Sequence, residues 1–104
     1  MPNIKPNDID KLIGQNLRYA RRHRNVTQEK LAEELGITFQ QVQKYEKGEN
    51  KIFTSRLFKI SQILNIPFGF FFLEGEKKPN EEFFKSSLKI ASHYLRPTKE
   101  KLLN

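Results

Sequence analysis

Apolar side chains recur every three or four residues between Asp8 and about His23, which predicts one long amphipathic helix. The residues that form this apolar stripe are Ile9, Ile13, Leu17 and Ala20, with Leu12 beside them. Asn7 or Asp8 can cap the start of the helix. Asn25 predicts its end, because asparagine tolerates the left-handed conformation that closes helices.

Two short helices are predicted next, over residues 28–35 and about 39–47. Each is preceded by an N-capping threonine and followed by a glycine suited to a left-handed C-cap: Thr27 and Gly36 for the first, Thr38 and Gly48 for the second. Gln41, three positions after Thr38, completes a capping-box pattern. Helices of about two turns are unstable alone. Both must therefore be held by packing against other elements.

A fourth helix is predicted from Thr54 or Ser55 to about Asn65, ahead of Pro67. The aromatic run 67–73 predicts a short fifth helix. Residues 75–79 have the composition of a linker, and a last amphipathic helix is predicted over 81–95. No segment alternates as a strand does. We therefore predict an all-α fold, with a five-helix domain over 8–73 and a linker plus C-terminal helix over 74–104.

The net charge is +7 and the pI is about 9.8, which favours a polyanionic partner. Most of the positive excess lies in residues 1–73, where four arginines surround His23. A basic run of this kind is more often a solvated helix end than a binding site. The charge therefore becomes informative only together with a motif.

Several classes of protein are disfavoured by what the sequence lacks. It has no cysteine, no apolar run long enough to span a membrane and no signal-peptide pattern near its start, so we expect a cytoplasmic, nucleoid-associated protein. His23 and His93 have no metal-ligand neighbours at helical spacing, and the glycines are isolated. We expect no metal, no cofactor and no catalytic residues. The chain is not predicted to be an enzyme.

One longer pattern joins these elements across residues 13–48. Its matching positions are Ile13-Gly14, Arg21, Thr27 to Ala32, Leu35 to Thr38, Val42 and Tyr45 to Gly48. Together they resemble the helix-turn-helix family of the phage lambda repressor and Cro, whose bacterial relatives are the Xre-type regulators. Residues 54–73 follow the family's fourth and fifth helices more loosely. The stretch from Thr38 to Gly48 is also similar to a group of short, single-domain bacterial regulators.

The resemblance implies a sequence-specific DNA-binding transcriptional regulator, more often a repressor, whose third helix lies in the major groove. The side chains expected to read bases are Phe39, Gln40, Gln41, Gln43 and Lys44. Amides match adenine, and lysine can reach guanine. Phe39 departs from the polar residue common in the family at this position. It either contacts a thymine methyl group or folds back over the turn to cover Ile37 or Leu35.

The same resemblance implies contacts to phosphates and one structural ion pair. The phosphate contacts are assigned to Thr27, Gln28, Thr38, Lys47, Asn50 and Lys51. The threonines also have a simpler role as helix caps. Arg21 is expected to pair with Glu46 and to tie the first helix to the reading helix.

The family usually binds palindromic operators as a homodimer. At least two rings of the aromatic run should lie in the core, and the others can form a two-fold contact. The segment 81–95 can pack on its own domain, extend the dimer or receive a protein partner. The alternative function is therefore an antitoxin or protein-interaction module. RNA binding is disfavoured because no aromatic sheet is predicted.

Overall fold

A computed structural model describes residues 6–74, with side chains from Asp8 onward. The predicted linker at 75–79, the predicted helix at 81–95 and its possible partners lie outside these residues. The division of the chain into segments 8–73 and 74–104 therefore stays a prediction.

Within the described range the chain forms four α-helices and one 3-10 helix, without a strand, so the predicted all-α class is confirmed there. The α-helices are α1 (Pro6–His23), α2 (Gln28–Leu35), α3 (Phe39–Lys47) and α4 (Thr54–Leu64), and the 3-10 helix is Phe68–Phe72. None of the helices in this part of the chain is long and apolar enough to cross a membrane.

The predicted caps define the two short helices. Thr27 Oγ1 accepts a hydrogen bond from the Lys30 N–H at 3.0 Å, and Thr38 Oγ1 accepts one from the Gln41 N–H at 3.2 Å. The glycines that follow, at positions 36 and 48, have left-handed φ values of 69° and 73°. The turn between α2 and α3 is therefore specified at both of its ends by short-range chemistry.

The fifth element differs from the prediction of a fifth α-helix. Phe68–Phe72 is a 3-10 helix, in which the Phe70 N–H bonds to the Pro67 carbonyl and the Leu73 N–H bonds to the Phe70 carbonyl. Five residues after a proline give too few hydrogen bonds to offset α-helix nucleation, whereas 3-10 turns are favoured in short pieces. The prediction of five α-helices is therefore not confirmed.

A single core holds these elements together. α1 packs on α3 and on the 3-10 helix, and α2 packs on α3 and α4. The largest fully buried apolar side chains of this core are Phe71, Leu17, Leu31, Ile60, Leu64, Ile66 and Val42. Phe70 and Phe71 of the aromatic run are buried, which confirms that at least two of these rings serve the core.

Buried Asn16 anchors the 3-10 helix, and sequence patterning did not single it out. Its Nδ2 donates to the Phe71 carbonyl at 2.8 Å and to the Leu73 carbonyl at 2.7 Å. Both amide hydrogens are therefore used, and two backbone carbonyls at the end of the domain are satisfied. Asn16 therefore fixes the end of the 3-10 helix relative to α1.

Arg24 stabilises the C-terminal end of α4 by capping it. Its Nε donates to the Leu64 carbonyl at 2.9 Å and its Nη2 to the Asn65 carbonyl at 3.3 Å. Burial lowers the pKa of Arg24 through desolvation, but an arginine guanidinium remains charged at neutral pH. A cation therefore lies at the negative end of the α4 dipole.

Gly14 sets the distance between α1 and α3. A Cβ placed there would overlap the Tyr45 carbonyl oxygen and would lie 2.7 Å from the Glu46 carbonyl oxygen. Because both obstacles are backbone atoms, a larger residue would push the two helices apart. The close approach positions α3 against the longest helix of the fold.

We expect Gly14→Ala to destabilise the protein by about 2 kcal/mol or more, because overpacking against backbone forces helices to shift. The measurement is chemical denaturation followed by circular dichroism. Gly69→Ala is the matched control, since nothing lies within 4 Å of its added Cβ. Equal unfolding midpoints for the two variants would contradict the close approach.

Candidate nucleic-acid interface

The outward face of α3 is determined by its two buried apolar residues. Val42 is fully buried and Tyr45 is 4% exposed, so the opposite side of the helix faces solvent. Gln40 and Lys44 are exposed on that side, and Phe39 is exposed at the first position of the helix. Gln41 and Gln43 are half-buried and flank it. Of the five residues assigned to base reading, three are therefore exposed and two are half-buried.

Phe39 is 39% exposed at the first position of α3. Part of its ring therefore remains accessible to a ligand that approaches the N-terminus of this helix. Ile37, which Phe39 was considered to cover, is partly buried and packs against the core. Both interpretations of Phe39 made from the sequence stay predictions.

Most of the residues assigned to phosphate binding lie on the surface around α3. Thr27 and Thr38 are exposed, and their hydroxyl oxygens cap α2 and α3. The other exposed members are Lys47, Asn50 and Lys51, at the C-terminal end of α3 and in the loop that follows. Five of the six residues assigned to phosphate binding are therefore exposed.

Gln28 differs from the other members, because it is half-buried. Its Nε2 donates a hydrogen bond to Glu46 Oε1 at 2.9 Å. From the sequence, Gln28 was predicted to bind phosphate only, and its contact with α3 was not predicted. The two residues are far apart along the chain, so no helical spacing could have signalled it.

Glu46 and Arg21 form an ion pair beneath α3. Arg21 Nε lies 2.6 Å from Glu46 Oε2, and Arg21 Nη2 lies 3.2 Å from Glu46 Oε1. Arg21 Nη1 also donates to the Val26 carbonyl at 2.8 Å. The two side chains are only 11% and 4% exposed. The carboxylate is therefore largely removed from water, and its compensation comes from hydrogen bonds within the fold.

A second polar contact links α3 to the start of α4. Arg56 Nη1 donates to Tyr45 Oη at 2.8 Å. The ring of Tyr45 fills the core, and its hydroxyl reaches the first turn of the next helix. Sequence patterning treated Tyr45 only as an apolar residue and did not predict this partner.

Comparison with known proteins identifies relatives of this domain. A helix-turn-helix family model matches residues 17–71. An uncharacterized HTH-type transcriptional regulator of Sinorhizobium medicae is 59% identical over 68 residues, which cover 65% of this chain and 49% of the relative. A regulator of the same description from Sinorhizobium fredii is 42% identical over 86 residues, covering 83% of this chain and 60% of the relative. The chain thus spans about half to three fifths of the length of these relatives.

We expect Glu46→Ala to lower the free energy of unfolding by on the order of 3 kcal/mol, because it leaves the Arg21 guanidinium buried without its carboxylate. Urea denaturation of the purified variant measures this loss. Glu33→Ala is the matched control. Its carboxylate lies 3.8 Å from Lys30 Nζ and is 74% exposed, so its removal should change stability by less than about 1 kcal/mol. A Glu46→Ala variant as stable as this control would contradict a structural role for the pair.

Proposed function

Because the chain belongs to the helix-turn-helix family of transcriptional regulators, we propose that it represses transcription by binding specific sequences in double-stranded DNA. α3 enters the major groove and reads the bases. The observation that carries this proposal is the outer surface of α3, where Gln40 and Lys44 are exposed while Val42 and Tyr45 are buried. Helices presented in this way fit the width of the major groove.

The proposed base contacts follow from the chemistry of the exposed groups. The amides of Gln40, Gln41 and Gln43 each carry a donor and an acceptor, the pair that adenine offers at N6 and N7. Lys44 can donate to guanine O6 and N7. Phe39, at the leading end of the helix, is proposed to contact a thymine methyl group. The proposed site should therefore prefer A·T pairs to G·C pairs at most of the positions it reads.

Phosphate contacts are proposed on both sides of α3. On one side, the exposed hydroxyl of Thr27 and the amide of Gln28 lie at the start of α2. On the other side are Thr38, Lys47, Asn50 and Lys51. An amide nitrogen carries two hydrogens, so Gln28 can donate one to Glu46 and the other to a phosphate. Glu46 then orients Gln28, which binds the phosphate, and also orients α3.

A homodimer on a palindromic operator is the proposed assembly. An aromatic surface is available for the two-fold contact, where Phe58 and Phe72 are 44% and 43% exposed. The ring of Phe68 lies between them, with centroid distances of 6.5 Å to Phe58 and 5.7 Å to Phe72. Two copies joined there would bury these rings and place two reading helices on one duplex, with half-sites about 34 Å apart.

The affinity for duplex DNA should fall steeply with salt, because binding releases counterions from each neutralised phosphate. We expect a plot of log affinity against log salt concentration to have a slope of about −0.9 per phosphate contacted. Lys51→Ala should make the slope shallower by about 0.9 for each bound copy, about 1.8 for the proposed homodimer, and weaken all sequences alike. Fluorescence anisotropy at several salt concentrations measures both effects. Purified protein that does not bind duplex DNA at low ionic strength would overturn the proposed function.

Gln40→Ala should instead change sequence preference. We expect discrimination at one base pair to fall by about 1–3 kcal/mol, with the salt slope unchanged. Selection of bound fragments from random duplex DNA, performed in parallel on the wild-type protein and on Gln40→Ala and Lys51→Ala, measures this difference. If Gln40→Ala weakens all sequences equally, as expected for Lys51→Ala, then Gln40 does not read a base.

A further inference from the structure

Phe53 is the most exposed large apolar residue in the described part of the chain. It is 79% exposed, compared with 44% for Phe58, the next in order. It occupies the N-cap position of α4, with φ −57° and ψ 144°, and its side chain makes no capping hydrogen bond. An aromatic ring therefore projects into solvent at the one position of the helix where a short polar side chain is preferred.

This choice of residue is unfavourable for folding in two ways. A phenylalanine gives up the hydrogen bond that serine, threonine, aspartate or asparagine would make to the open N-terminus of α4. It also leaves a large apolar surface in water. The same chain places threonine at the N-caps of α2 and α3. A local choice that opposes stability without a compensating contact is expected at functional positions.

The position of Phe53 relates it to the proposed interface. Lys51 and Phe53 are exposed, whereas Ile52 between them packs against the core, so both flanking residues lie on the outer surface of the loop. The hydrogen bond from Arg56 to Tyr45 holds the first turn of α4 beside α3. The ring of Phe53 is therefore presented close to a lysine assigned to phosphate and next to the helix assigned to the groove.

We propose that Phe53 binds the DNA backbone, by packing its ring on the apolar face of a deoxyribose in the strand whose phosphate Lys51 neutralises. This inference rests on the proposed function and adds an uncharged contact to it. Contacts to phosphate and sugar position a protein on the duplex without reading its sequence. Phe53 is thus a determinant of affinity and register, distinct from Gln40.

The test is Phe53→Ser, because serine restores the missing cap while it removes the ring. We expect the melting temperature to rise or stay the same. We expect DNA affinity to fall about tenfold, the loss that corresponds to about 55 Å² of apolar contact. The loss should be the same for all sequences, and the salt slope should equal that of the wild-type protein, since no charge is removed. A merely structural role for Phe53 would not lower affinity in a variant of unchanged or increased stability.

Two further variants complete the design. Phe53→Leu retains much of the apolar surface and should recover most of the affinity. Gln62→Ser, an uncharged change at an exposed position of the same helix, should leave affinity and salt slope unchanged. Sedimentation velocity measures the oligomeric state of each variant in the absence of DNA, which should match that of the wild-type protein.

Three results would overturn the inference. Unchanged DNA affinity in Phe53→Ser would show that the ring does not contact DNA. A change in preference at a single base step would assign the ring to the bases. A changed sedimentation coefficient would assign it to a protein contact. If wild-type protein binds duplex DNA and Lys51→Ala behaves as expected, each of these results rejects the role of Phe53 alone and leaves the proposed function intact.

Discussion

The structure depends on one largely buried carboxylate, that of Glu46. It belongs to α3, and it accepts hydrogen bonds from Arg21 of α1 and from Gln28 at the start of α2. Three helices are therefore joined at a single group that has little access to water. A buried charge tolerates very little displacement, because loss of any partner exposes the full desolvation penalty. The orientation of the short α3, which could not persist alone, follows from this constraint.

The close approach at Gly14 has the same effect through packing instead of charge. It brings the backbone of α1 against the carbonyls of Tyr45 and Glu46. Arg21 of α1 therefore reaches the Glu46 carboxylate of α3 over a short distance. Because the inner side of α3 is held rigidly, the residues on its outer side are not needed to pack the helix. This division leaves Gln40 and Lys44 accessible to a ligand, while the inner residues hold α3 in the fold.

Much of this architecture could be predicted from the sequence, because its signals are local. Thr27 and Thr38 mark helix starts, Gly36 marks the turn, and the apolar spacing marks the buried faces. The 3-10 geometry of Phe68–Phe72 could not be predicted from the same pattern. Neither could the contacts of Asn16, Gln28 and the Tyr45 hydroxyl, because each joins residues distant along the chain. The Arg21–Glu46 pair was anticipated only through resemblance, since spacing alone gives no information on it.

The helix starts of this domain show how stability and binding compete for the same positions. At α2 and α3 the capping threonines satisfy a backbone N–H and are also exposed, so one side chain can serve both the fold and a phosphate. At α4 the two demands separate, because the ring of Phe53 cannot cap a helix. A domain of this size has only a small margin of stability, and a forgone cap is a sizeable part of it. The retention of an exposed ring there is therefore more readily explained by a ligand than by the fold.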